Sequence, residues 1–236
     1  MKKLIVAIAV FSGLSSAAQA APVLIDAFNA EQIVAYKPIP GFVSDQSEVE
    51  APVIGGYRDI SVVSSATAYF GSILQVVDGE GSIDLSNTRG VTGSGSVTWD
   101  GMGSTGLGGI DLTDGGSNDA LITSIVFSRG SGALTFSAVD TNGVSGMATY
   151  AFNTDISSAS PVAFLFSSFS NGVDLTSVNS LTMLMSGIDP AASNSVGSVY
   201  AGVAPVPAPV PLPAAGLLLG TVLLGGGVAA RRRKTA

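Results

Sequence analysis

The sequence predicts an all-β protein with a single antiparallel β-sandwich of jelly-roll type at its centre, and three observations point there. Runs of β-forming residues are short and are separated by Gly, Ser, Asn and Asp. Several runs alternate apolar with polar, as half-buried strands do: Leu134-Phe136-Ala138 lies against Thr135-Ser137-Val139. No long stretch has a helical period.

The stretch ahead of Tyr57 reads as irregular, so the first expected strand is 57–63, rich in Ile and Val. The run 68–77 follows and stops at the turn signal Asp78-Gly79; 82–85 continues beyond that turn. In 96–99, Val97 and Trp99 share one side, and Asp100-Gly101 then breaks the run. The long runs 121–127 and 133–139 come next, and Asn142-Gly143 turns the chain into 147–152. After 162–166, Asn171-Gly172 marks another turn, followed by 180–185 and 196–203. Regular spacing of this kind, with Gly-containing turns, belongs to sandwiches rather than repeat solenoids.

Both ends of the chain carry address signals. Lys2 and Lys3 precede an apolar core from Leu4 to Leu14, and Ala18-Gln19-Ala20 forms an A-x-A site, so cleavage before Ala21 is expected. At the other end, alternating prolines over 204–213 favour polyproline II, an extended spacer of about 30 Å at about 3.1 Å per residue. The apolar run 214–230 carries no charge and makes a helix of about 25 Å, near the lower limit for a membrane span. Arg231, Arg232, Arg233 and Lys234 then stay cytoplasmic by the positive-inside rule. The expected organisation is a signal peptide (1–20), a β-sandwich ectodomain (21–203), a Pro-rich linker (204–213), a transmembrane helix (214–230) and a basic tail (231–236).

Between these signals lie all seventeen carboxylates and only four cations, Lys37, Arg58, Arg89 and Arg129, a balance of −13. Such a charge repels phosphate backbones, which sets nucleic acid aside as a partner. Cysteine and histidine are both absent. No disulfide is available, and Ser-His-Asp catalysis and imidazole-based zinc sites are excluded. A carboxylate pair of the glycosidase kind is the one familiar catalytic route left, and the expectation is a non-enzyme.

The motif Val210-Pro211-Leu212-Pro213-Ala214, followed by the apolar segment and the Arg-rich end, resembles the PEP-CTERM class of bacterial sorting signals in its V-P-L-P-A variant. That resemblance covers about the last twenty-seven residues and departs from the commoner form in lacking the acidic residue between the prolines. It implies export through the inner membrane of a Gram-negative bacterium, transient anchoring, cutting at the Pro motif by an exosortase-like membrane protease after signal peptidase has acted, and delivery to the cell surface or exopolysaccharide layer. Upstream, Gly55-Gly56-Tyr57-Arg58-Asp59, with Trp99-Asp100-Gly101 and the run Gly106 to Thr113, resembles ectodomains that recur on such tails, and this implies a fold more than an activity.

Three further expectations concern sites. Trp99 reads as a core anchor at a strand end; its rival role is an exposed platform for a sugar ring, the basis of a carbohydrate-binding alternative. Arg58 and Asp59 are placed for a structural ion pair with a strand neighbour. Asp111, Asp114 and Asp119 crowd one loop, and hard oxygen ligands from one loop suit calcium, although the spacing matches no EF-hand. The reading as a whole is an exported, non-enzymatic surface or biofilm-matrix protein associated with exopolysaccharide, the alternative being a calcium-assisted carbohydrate-binding module.

Overall fold

The computed structural model describes residues 21–36, 46–65, 71–187 and 189–205. The expected signal peptide, sorting motif, membrane segment and basic tail lie outside those residues. No helix among the described residues is long and apolar enough to cross a membrane.

Fourteen strands are described: β1 (Val23–Asp26), β2 (Gln32–Ala35), β3 (Gln46–Glu50), β4 (Tyr57–Ser64), β5 (Ser72–Val76), β6 (Ser82–Asn87), β7 (Gly93–Trp99), β8 (Ala120–Arg129), β9 (Gly132–Asp140), β10 (Ser145–Phe152), β11 (Ser160–Leu165), β12 (Val178–Gly187), β13 (Ser193–Gly197) and β14 (Val199–Gly202). One sheet has the order β10-β9-β12-β7-β4-β3, and every pair in it is antiparallel. In the other, β13 and β14 act as one long strand beside β8. The far side of that strand is shared end to end by β6, on β13, and β1, on β14; β5 and β2 extend the sheet beyond β6, and β11 covers the free side of β8. The fold is thus the antiparallel sandwich the sequence predicts.

Each of the ten expected strands has a counterpart, although 68–70 of the expected run 68–77 lies outside the described residues and the expected run 196–203 is two strands, β13 and β14. The irregular reading of the N-terminal stretch is corrected, because three strands occupy it. They are short, four or five residues each, and β3 (Gln-Ser-Glu-Val-Glu) carries a single apolar residue. Asn171-Gly172 lies in a turn, as expected, here a 3-10 turn between β11 and β12. Asp78-Gly79 and Asn142-Gly143 do turn between sequential antiparallel strands, β5 to β6 and β9 to β10.

The core lies between the sheets and is filled by the apolar phase of each strand. Ile60 and Val62 of β4, Val97 and Trp99 of β7, Leu134 and Phe136 of β9 and Leu181, Met183 and Met185 of β12 face Leu74, Ile83, Leu85, Leu121, Ile125 and Val196 of the other sheet. Phe136 and Phe164 meet edge to face, 4.9 Å between ring centroids, and so join β9 to β11 across the sandwich. At Gly95 of β7 a Cβ would stand 2.7 Å from Leu74 Cδ1, so the absent side chain is what lets β5 pack this closely. The loop between β7 and β8 is tied down as a third rail: Leu107 and Ile110 donate their amides to Asn179 and Val178 carbonyls, Leu112 donates to Leu175, and the Leu112 side chain is buried.

Candidate functional site

Strands β4 and β7 present two opposite chemistries because successive side chains alternate sides. The inward side carries a closed polar network. Arg58 has no exposed surface and pairs with Asp26 at 3.2 Å; its Nε donates to Gln32 Oε1 at 2.7 Å, and its remaining nitrogen donates to the Ala30 carbonyl. Gln32 returns Nε2 to the Arg58 carbonyl at 3.1 Å. The Trp99 indole donates to Asp26 Oδ2 at 3.0 Å, and the guanidinium lies 5.8 Å from the centre of the Phe28 ring. The expected ion pair of Arg58 is therefore made with β1, not with a neighbour in its own sheet. Trp99 is fully buried. A sugar-stacking platform at Trp99 is corrected by this: β7 points Trp99 inward with Val97, so neither face of its ring is open.

The outward side is a ladder of hydroxyls. Strand register sets Glu48, Asp59, Thr98, Thr182 and Ser137 side by side in one row across five strands. The next row is Gln46, Ser61, Ser96, Leu184, Thr135 and Thr149. Thr98 and Thr182 hydroxyls are 3.1 Å apart, and Thr135 and Thr149 2.9 Å. Two hollows follow one another along β4 and β7. The first, about 460 Å³, is lined by Gln46, Ser47, Glu48, Asp59, Ile60, Ser61, Ser96 and Thr98. The second, about 410 Å³, is lined by Val63, Ser64, Ser65, Thr92, Gly93, Ser94, Ser186 and Gly187. At about 3.4 Å per residue, the stretch from Asp59 to Ser64 gives the groove a length of about 17 Å.

One end of this groove is acidic. Burial, then the charges of Glu48 and Asp100 and a hydrogen bond with Asp100, push the Asp59 carboxyl up from 3.8 to about 6. Glu48 Oε2 accepts from the Gly103 amide at 2.7 Å. Asp100 Oδ1 is enclosed and has no hydrogen-bond partner among the described residues.

The loop aspartates are disposed differently. Asp111 accepts from the Thr113 amide and hydroxyl through Oδ1 and from the Gly115 amide through Oδ2. The Thr113 hydroxyl first, then the Gly115 amide, hold its carboxyl below the usual carboxylate range. Asp119 Oδ1 accepts from the Ala204 amide at 2.6 Å, and Asp114 sits at φ 47° within the turn. No cluster of three or more acidic side chains disposed for a metal ion occurs among the described residues. The loop's own amides occupy the oxygens that would face a cation at Asp111.

Sequence reasoning missed the groove because half of its acidic end belongs to the unrecognised β3. The signal available was on β7, where Ser94, Ser96 and Thr98 alternate with Gly95, Val97 and Trp99.

No family model matches the chain, and no curated protein matches it. Among solved structures, the family 11 carbohydrate-binding module of the cellulosomal cellulase Lic26A-Cel5E of Clostridium thermocellum is 12% identical, with 80% of this chain and 98% of that one covered and a TM-score of 0.38. TmCBM61 in complex with β-1,4-galactotriose is 8% identical, with 74% and 88% covered and a TM-score of 0.31. An exo-β-agarase is 8% identical, with 69% of this chain but 23% of the enzyme covered and a TM-score of 0.39.

Proposed function

We propose that this chain is an exported, non-enzymatic surface or matrix protein, held in an exopolysaccharide layer by a glycan-binding groove on the outer face of its six-stranded sheet. The observation that carries the reading is the groove itself: two successive hollows, about 460 and 410 Å³, the first lined by Gln46, Glu48, Asp59, Ser61, Ser96 and Thr98, the second by serines and Thr92 together with Val63 and two glycines. A polyhydroxylated chain is matched by hydroxyls, amides and carboxylates that donate and accept at once. The strand spacing of about 4.8 Å repeats those groups in register across the sheet. The V-P-L-P-A tail and the signal peptide give the route to the surface, and the acidic ectodomain disfavours nucleic acid and anionic lipid on the way.

The test is affinity electrophoresis of the full chain, in detergent, through gels containing polysaccharide. Retardation by at least one polysaccharide supports glycan binding, and unchanged mobility across a broad panel refutes it. The route is tested separately by intact mass of the protein recovered from producing cells. A species from Ala21 to the Val210–Ala214 motif is expected; a species ending at Ala236 in the membrane fraction refutes tail cutting.

One observation favours a second reading, hydrolysis. A carboxyl pushed up to about 6 in a groove is suited to a general acid. Against it, Glu48 and Asp59 lie directly opposite each other on adjacent strands of one sheet face, whereas glycosidase carboxyls flank the scissile bond. Release of reducing ends from any polysaccharide the chain retains decides between the two, and none is expected.

A further inference from the structure

We infer that the groove discriminates glycans by charge, taking uncharged chains and turning away uronate- or sulfate-bearing ones, with the Glu48–Asp59 end as the element that discriminates. The inference rests on the glycan reading above and specifies the substrate class. None of the described residues lining either hollow is a lysine or arginine. Glu48 and Asp59 stand directly opposite each other on β3 and β4, an arrangement that is unfavourable unless function or solvent compensates it.

Among the described residues, the groups that face Asp59 are acidic or neutral. From β3 come Glu48 and, one diagonal step away, Glu50; from the end of β7 comes Asp100; from its own strand, Tyr57. The turn Met102–Ser104 contributes a backbone amide, which goes to Glu48. Arg58, the next residue along, is turned to the core and already paired with Asp26. An anionic sugar laid in the first hollow therefore meets like charge with no described counter-charge beside it, in a site where burial already resists ionisation of Asp59. A neutral chain meets the same carboxylates as hydrogen-bond acceptors. As pH falls below about 6, Asp59 takes up its proton and the barrier to anionic chains drops.

The experiment measures the retention of the full chain, in detergent, by a neutral β-glucan, a neutral galactan and polygalacturonate at pH 7.5 and pH 5, with a calcium chelator present throughout. At pH 7.5 a neutral polymer is expected to be retained at least about tenfold more strongly than polygalacturonate, and the ratio is expected to narrow at pH 5. In a Glu48→Gln, Asp59→Asn double variant with an unchanged melting midpoint, the ratio falls towards one at both pH values. Polygalacturonate retained as well as the neutral polymers at pH 7.5 overturns charge discrimination while leaving glycan binding standing. A ratio that survives in the double variant overturns the assignment to this pair. Retention of no polymer at all sinks the glycan reading together with the inference.

Discussion

Arg58 and Asp59 are consecutive residues of one strand, yet they live under opposite rules. Arg58 points into the sandwich, where low dielectric makes an unpaired charge prohibitive, and its guanidinium is matched by Asp26, Gln32 and the Ala30 carbonyl. Asp59 points out into a part-buried hollow, where burial first and then the charges of Glu48 and Asp100 hold its proton affinity up. The difference separates structure from function within a single strand. On the inward side the polar groups of the Arg58 network serve to bind β1 and β2 to β4. On the outward side the same strands carry hydroxyls and charge that the fold does not require.

Breaking the inward side should have the largest effect. Arg58→Met leaves Asp26 buried without its cation and is expected to cost about 3–5 kcal/mol, read as a shift of the urea unfolding midpoint; a loss below about 1 kcal/mol would remove the network as the tie between the N-terminal strands and β4. Trp99→Phe removes the indole hydrogen bond to the Asp26 carboxylate, at about 2 kcal/mol, and leaves polysaccharide retention as it was, because the ring faces the core. Loss of retention at unchanged stability would contradict the inward assignment. Asp111→Ala, which deletes the acceptor for three donors in an exposed loop, is expected to cost about 1 kcal/mol.

The outward side should move stability least, and in a pH-dependent way. Asp59 has a folded value of about 6 against 3.8 when unfolded, so the folded state holds the extra proton between those values. Stability therefore rises as pH falls from about 6 to about 4. The opposite sign applies at Asp140, where burial pushes the carboxyl up but the amides of Asp174, Val144, Asn142 and Gly143 together hold it down. It also applies at Asp189, held down by Ser131. Their contribution is present above 3.8 and is lost as pH falls further. Thermal melts from pH 7.5 to 3 should accordingly show a maximum near pH 4–5, and Asp59→Asn should flatten the rise by less than about 1 kcal/mol while keeping the acid fall. A monotonic decline from pH 7.5 in the wild type would contradict the strain assigned to the carboxylate end.

Much of the sandwich was legible because β4 to β14 are long enough, or have enough Val, Ile, Phe and Leu in one phase, to show a period of two. β1 to β3 were not: Gln46–Glu50, with Val49 its only apolar residue, reads as polar coil until a partner strand supplies the other half of the ladder. For the same reason Trp99 was legible as an anchor at a strand end, but its partner Asp26, 73 residues away, was not. The groove depended on register: nothing in the chain order says that Glu48, Asp59 and Thr98 share a row. The crowd of aspartates from Asp111 to Asp119 shows the converse, a local cluster whose oxygens close their own turns.

The most direct test of the glycan groove is calorimetric titration of the full chain, in detergent, with a neutral polysaccharide that retards it, alongside a Ser96→Leu variant that fills the floor of the first hollow on the solvent side of β7. Saturable binding by the wild type and binding at least about tenfold weaker in the variant, with the same melting midpoint, is the predicted result. Equal binding by the two would place the glycan somewhere other than the outer face of the six-stranded sheet.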